Sequence, residues 1–391
     1  VFSFSLKSFQ RITSGNRKFI PEIDGLRFIA IITVVFLHTN TNFKRVYEHI
    51  IPAEYNGSSL DHIFSLSGIG VDLFFSISGF ILGLPFARYY LLGERKVNIK
   101  SYFIRRLTRL EPPYIIALLL LYVGVTIFEG VNFSEYFNNL VASIFYSHSI
   151  VFGSFNPINP VTWSLETEVQ FYILAPLLGL LLFTKYPWVR RIVLASIIVS
   201  LNWGVPAIYK WLEQVHLNKS IINYLHSFLV GFAFVEVFLF GLDKIRKGIW
   251  WDIIGVLAIV GMYTFIPDDL FRYERIYFDI SVFLLFISVF KGVVFNYIFT
   301  RQFIVVVGGM CYTIYLLHYP VLFVTMKIFS AVWVGSFIPT IIINFIVSIL
   351  LLLGVSAVFF KLIEQPCMDK NWPTQLKEFF KQRFSKANAE N

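Results

Sequence analysis

The chain has 391 residues, of which 57% are hydrophobic and only 15% charged, with a mean hydropathy of +0.68 and a net charge of +9. A soluble domain is about 25% charged, so these values exclude a disordered chain, a coiled coil and a water-soluble enzyme, and they make lipid the main solvent. In such a chain excess positive charge belongs in cytoplasmic loops rather than on a nucleic-acid surface. The two cysteines, Cys311 and Cys367, have neither disulfide-framework nor metal-ligand spacing.

In chain order, residues 1–20 are polar and basic and lack the apolar core of a signal peptide. They read as a cytoplasmic segment. Ten apolar runs then follow at roughly 24–42, 68–87, 111–130, 161–184, 190–209, 221–241, 249–267, 276–297, 303–326 and 333–361, each long enough to cross a bilayer as a helix. The stretch 136–152 is short and interrupted by polar residues, and reads as a re-entrant or surface segment. With the first segment inside, 26 of the 33 Lys and Arg residues fall on the cytoplasmic side, as the positive-inside rule requires. Counting 136–152 as a span would reverse every later loop. The predicted fold class is therefore an all-α polytopic membrane protein of about ten transmembrane helices with both termini cytoplasmic. A membrane domain covers 21–366, and a basic cytoplasmic tail covers 367–391. No internal repeat or inverted pair of broken helices is visible.

Ionisable residues inside membrane spans are costly and mark function. Five groups stand out along the chain. In the first span, Asp24 stands three residues before Arg27, and His38 eleven residues after it. Eleven residues are almost three helical turns, so Arg27 and His38 share a face about 16 Å apart. The plainer reading of His38 is a packed imidazole bonded to a neighbouring helix. The second span carries Asp72 near its outer end, with Ser76, Ser78 and Gly79 permitting close helix approach. Before the third span, Arg106 and Arg109 form an i,i+3 pair ahead of Glu111-Pro112-Pro113. Paired guanidiniums suit phosphates, although a simple topology signal explains them too. The fourth span opens with Trp163-Ser164-Leu165-Glu166-Thr167-Glu168. Glu166 sits where a helix N-terminus favours an acid, and Glu168 lies deeper. In the ninth span Tyr315 and His318 share a face.

The direction of each span then predicts depth. His38, His318, Asp72 and Glu168 are expected in one outer layer, and the arginines in the opposite, cytoplasmic layer. Such a layout suits a charged donor entering from inside and an acceptor waiting outside.

Taken together, the five segments resemble the acyltransferase-3 family of integral membrane acyltransferases, which includes bacterial polysaccharide O-acetyltransferases. The resemblance covers about 21–366 and rests on DGLR with the later His38, GVDLFFSISGF, RRLTRLEPPY, WSLETEVQFY, YTIYLLHYPV and the closing Ile363-Glu364-Gln365-Pro366. It implies transfer of an acyl group, usually acetyl, from cytoplasmic acetyl-CoA to a sugar hydroxyl at the outer face of a bacterial inner membrane, without a metal. The family's Arg and His fall on Arg27 and His38, its paired arginines on Arg106 and Arg109, and its acid on Glu168. Glu111 and Glu166 depart from the usual pattern. Many members carry an extracellular esterase-like domain that this sequence lacks. The expectation is a membrane unit that acts alone, as a homo-oligomer, or with an extracytoplasmic partner.

The mechanism that follows has Arg27, Arg106 and Arg109 holding the CoA phosphates, with Asp24 steadying Arg27. His38 serves as general base or transient acyl carrier, with Glu168 and Asp72 beside it. Trp163, Tyr315 and His318 contact a glycan or glycolipid acceptor. The rival class is a transporter or flippase for a lipid-linked saccharide, and a non-catalytic receptor is a third.

Overall fold

The computed structural model describes residues 6–12, 19–49, 55–65, 68–265, 272–329, 337–369, 371–375 and 378. Parts of the predicted segment 1–20, the end of the run at 249–267, the start of that at 333–361 and most of the tail 367–391 lie outside the described residues. Among the described residues every regular element is helical. The helices are α1 (Pro21–Val46), α2 (Ser59–Ser65), α3 (Ile69–Leu92), α4 (Ile99–Glu129), α5 (Phe137–Ile144), α6 (His148–Phe152), α7 (Trp163–Leu178) and α8 (Pro187–Gln214). There follow α9 (Ile221–Glu236), α10 (Ile249–Thr264), α11 (Arg272–Lys291), α12 (Val294–Phe299), α13 (Gln302–Gly309), α14 (Cys311–Phe329), α15 (Phe337–Phe359) and α16 (Gln365–Cys367).

Local chemistry sets the boundaries. Pro21 opens α1 at a position where its missing N–H costs nothing. The Asn98 side chain accepts from Ser101 N at 2.9 Å to cap α4. α3 and α4 each stop at a glycine in the left-handed conformation, Gly93 and Gly130. The stretch 136–152 forms the short helices α5 and α6, neither of which is long enough to span a bilayer.

Among the described residues, seven helical stretches are long and apolar enough to cross a membrane: Asp61–Leu92, Ile99–Glu129, Pro160–Leu182, Pro187–Gln214, Ile221–Lys244, Cys311–Phe329 and Pro339–Cys367. The other three predicted spans correspond to α1, α10 and α11, which fall short of that standard for identifiable reasons. α1 carries Glu22, Asp24, Arg27, His38, Lys44 and Arg45 within 26 residues, α10 has 16 residues, and α11 opens on Arg272, Glu274 and Arg275. The run read as continuous over 303–326 is two helices, α13 and α14, parted at Met310. Gly308-Gly309 explains the break. Glycine is a poor helix former, and a Cβ on Gly308 would come within 1.8 Å of Asp24 O. The chain there is shaped to press against α1.

α1 lies at the centre, packed on α3, α13 and α14, while α3 also packs along α9 and α14 along α15. Between lipid-embedded helices apolar burial gains little, so close backbone approach carries the packing. The α3–α9 crossing shows this. A Cβ on Gly79 would fall 1.9 Å from Phe228 O, and one on Gly231 would fall 1.7 Å from Ser76 O. Phe75, Phe171 and Phe228 stack beside the crossing. Gly204 on α8, by contrast, has open space around it. Gly231→Val is therefore expected to abolish monodisperse protein on detergent extraction, whereas Gly204→Val should leave yield and elution volume unchanged. Size-exclusion chromatography of the two variants checks this.

Candidate active site

The site is built on α1, α4, α7 and α14. At the lower end of α1, Arg27 Nη1 lies 2.5 Å from Asp24 Oδ1, and Asp24 is fully buried. A second guanidinium, Arg11, reaches the same oxygen at 3.5 Å from the segment before α1. Burial first, and the nearby Arg27 charge second, pull Arg11 down to about 9, so it stays charged at neutral pH. Arg109 stands within electrostatic range of Arg11 and of the buried Glu364.

Beside this rim, a cavity of about 200 Å³ opens between α4, α7 and α14. Arg106, Glu111, Tyr146, Glu168, Tyr172 and Tyr312 are its polar lining. Arg106 lies 3.6 Å over the Tyr102 ring and donates to Tyr102 O at 2.9 Å. Its cation is thus held flat against an aromatic face. Glu168 accepts from Ser78 Oγ at 2.6 Å and from the Tyr172 hydroxyl, and Glu111 accepts from Tyr146.

Higher on α1, His38 meets His318 of α14, with His318 Nε2 3.1 Å from His38 Nδ1. Hydrogen-bond chemistry assigns the tautomers. His318 Nδ1 is 2.7 Å from the Tyr315 carbonyl, which can only accept, so Nδ1 carries the proton and Nε2 the lone pair. His38 Nδ1 faces that lone pair and the Val34 carbonyl at 3.0 Å, so it too carries the proton. His38 Nε2 is left as a basic nitrogen with no hydrogen-bond partner among the described residues. His318 is fully buried and His38 partly exposed.

Two rows of residues join the imidazoles to the cavity. On α14, Tyr312 lines the cavity, and Tyr315 and His318 follow at three-residue steps, each step turning about 60° around the helix, from α4 past α7 to α1. The Tyr315 hydroxyl lies 2.5 Å from Ser164 Oγ on α7 and donates to Val161 O. Glu168 is one turn further along α7 from Ser164, about 6 Å away along the axis. The basic end and the imidazole pair are therefore consecutive levels of one arrangement.

The predicted site residues divide between this arrangement and other places. Asp24, Arg27 and Arg109 sit at the basic end, and Arg106 and Glu168 in the cavity. His38, His318 and Tyr315 gather above. Glu168 pairs with Ser78 and Tyr172, not with the imidazoles. Asp72 turns toward α9 and accepts from Ser227 Oγ at 2.8 Å. There it borders a buried network in which His226 and Asn202 bond Asp279, and Arg275 bonds Asn223 and Asn202. Trp163 packs against Tyr224 and Phe75 within the core, away from the cavity lining. Glu166 accepts from Ser149 N at 2.8 Å near the start of α6. Among the described residues, no group of three or more His, Cys, Asp or Glu is arranged to hold a metal ion.

Sequence reasoning missed Arg11 and the α9–α11 network. In the sequence Arg11 reads only as one cytoplasmic charge of the segment 1–20. His226 and Asp279 were visible as ionisable residues within apolar runs.

Residues 20–358 match the family described as the acyltransferase domain. The O-acetyltransferase OatA of Staphylococcus aureus (strain NCTC 8325 / PS 47) is 25% identical over 395 residues, covering 94% of this chain and 60% of the relative. The peptidoglycan O-acetyltransferase OatA of Listeria monocytogenes serovar 1/2a is 24% identical over 347 residues, covering 82% of this chain and 52% of the relative. The chain thus spans little more than half the length of these relatives. No solved structure matches it.

The tautomer assignment is open to direct measurement. In selectively histidine-labelled protein, nitrogen-15 shifts should report a protonated Nδ1 and an unprotonated Nε2 for both His38 and His318. An Nε2–H tautomer at His38 would overturn it.

Proposed function

The chain belongs to the acyltransferase domain family, and from that membership we propose that it is a membrane O-acyltransferase that moves an acetyl group from cytoplasmic acetyl-CoA to a hydroxyl of a glycan or glycolipid at the outer face. The observation that carries the reading is the free Nε2 of His38, whose ring is held by His318 above a cavity that Arg106 lines. In this reading α1, α10 and α11 join the seven apolar helices as spans, which gives ten, with both chain ends cytoplasmic. The 26 inner Lys and Arg residues support that orientation.

Acyl transfer from a thioester to an alcohol needs positioning, a base and stabilisation of the oxyanion. Arg27, Arg106 and Arg109 grip the anionic part of CoA, where guanidinium geometry matches phosphate. The pantetheine arm rises from the cavity past Tyr312 and Tyr315 and brings the thioester carbonyl to His38. His38 Nε2 takes the proton of the acceptor hydroxyl as that oxygen attacks the carbonyl carbon. The tetrahedral intermediate collapses, the C–S bond breaks, and the proton passes to the departing thiolate. His318 steadies the imidazolium, because its Nε2 lone pair accepts from His38 Nδ1–H throughout. Tyr315, buried and bonded to Ser164, fixes His318 through its own carbonyl. Glu168 holds the cavity wall through Ser78 and Tyr172. Asp72 acts on the α3–α9 packing in this scheme and not on the reacting atoms.

Membranes containing the protein, supplied with radiolabelled acetyl-CoA, should label a base-releasable ester fraction. Removing a general base costs about 10²–10⁴-fold in rate, so His38→Ala should fall by at least a hundredfold at unchanged protein level. His318→Ala should lose about tenfold or more. Arg106→Ala and Arg109→Ala should raise the KM for acetyl-CoA and leave most of kcat. Near wild-type labelling by His38→Ala would refute the mechanism. Passage of unmodified saccharide with no acetyl-CoA consumed would indicate a transporter instead.

A further inference from the structure

The Glu364-Gln365 pair lies at the end of the last helical stretch, and the transfer scheme gives it no part. Its contacts converge on the segment before α1. Gln365 Nε2 donates to Ser8 O at 2.9 Å and to Gln10 O at 3.0 Å. Lys361 Nζ donates to the same Ser8 O at 3.0 Å and to Gln365 Oε1 at 2.8 Å. Glu364 Oε2 accepts from Thr313 N and Thr313 Oγ1, which locks this corner to the first turn of α14. The clamped segment leads directly into Arg11. Its backbone there passes over Gly309, at the break between α13 and α14, and its guanidinium ends at Asp24.

The charges at that point do not balance. Asp24 is already matched by Arg27 at 2.5 Å. Arg11 adds a second cation to one carboxylate, and its electrostatic neighbours are two arginines, Arg27 and Arg109, against the one carboxylate Asp24 and the thiol of Cys311. Including Glu364, three guanidiniums face two carboxylates. Arg11 Nε and Arg109 Nε are both buried and unbonded. A surplus buried cation with unused donors is costly unless an anion completes it. The bland role, neutralising Asp24, is already filled by Arg27.

We propose that Arg11 is a phosphate-binding residue of the donor site, and that Gln365 and Lys361 are positioning residues that clamp residues 8–10 so that Arg11 faces the same anion as Arg27 and Arg109. The ligand chemistry is a phosphate or diphosphate monoester, here that of a CoA thioester. This rests on the donor reading given above and adds to it a fourth guanidinium and the function of the closing motif.

The test is binding to the detergent-purified full chain, which needs no acceptor. The probes are coenzyme A and, as the phosphate-free control, S-acetylpantetheine. Arg11→Gln should weaken coenzyme A binding about tenfold and leave S-acetylpantetheine unchanged, since a charge-assisted hydrogen bond is worth about one tenfold step. Arg11→Lys should recover part of the loss. Gln365→Ala should weaken coenzyme A binding in the same direction, and the double variant Arg11→Gln, Gln365→Ala should bind no worse than Arg11→Gln alone. Equal losses for both probes, or wild-type affinity in Arg11→Gln, would overturn the proposal while leaving the donor reading intact. Failure of the wild-type protein to bind coenzyme A would instead remove the donor reading itself.

Discussion

The contact between His38 and His318 is the interaction on which the rest depends. An imidazole placed among apolar helices must find a partner or become a packing fault. Here each ring solves the problem for the other. The Tyr315 carbonyl sets the proton on His318, His318 sets the proton on His38, and the free lone pair comes out on His38 Nε2. Carboxylates are not needed to orient this base. The backbone of α14 performs that task, and α14 is in turn fixed by Asn159 Nδ2 on Leu316 O, by Tyr312 on Leu110 O and by Glu364 on Thr313. In the proposed transfer, neutral partners also keep fixed negative charge away from the nitrogen that takes up and returns the proton.

The same economy governs the lower end. Four arginines lie near the start of α1 and α4 and are held in three ways: Arg27 and Arg11 by Asp24, Arg106 by the Tyr102 face and carbonyl, and Arg109 near Glu364. α1 has to carry both ends of the site on one helix, and it is correspondingly polar for a core element. Its neighbours compensate by close approach. Gly70, Gly308 and Gly25 each bring a backbone against it or from it at distances no side chain would permit.

Much of this was legible in residue spacing. The eleven-residue step from Arg27 to His38 placed one at each end of the site, and the i,i+3 pairing of Tyr315 and His318 placed them together, with His318 on α1 and Tyr315 on α7. Reading 136–152 as too short to span also agrees with α5 and α6. What spacing could not supply was azimuth between helices. Asp72 and Glu168 are expected in one layer, yet Asp72 turns toward Ser227 on α9, while Glu168 reaches Ser78, six residues further along α3 than Asp72, and Tyr172 in the cavity. Trp163, which the sequence offers equally as an acceptor contact or a packing aromatic, has its ring on Tyr224 and Phe75. The break at Met310 was hidden because Gly308-Gly309 lies inside an unbroken apolar run. Arg11 is one charge among several in a basic segment, because the contacts that bring it to Asp24, from Gln365 and Lys361, are distant in sequence.

The most direct test of the account is an experimental map of the full chain with a non-hydrolysable acetyl-CoA analogue bound. The account predicts the analogue's phosphates within hydrogen-bond reach of Arg27, Arg106 or Arg109, and its carbonyl carbon about 3–3.5 Å from the acceptor position beside His38 Nε2. An analogue bound elsewhere, or His38 Nε2 turned outward to the lipid with no passage from the arginines, would contradict it.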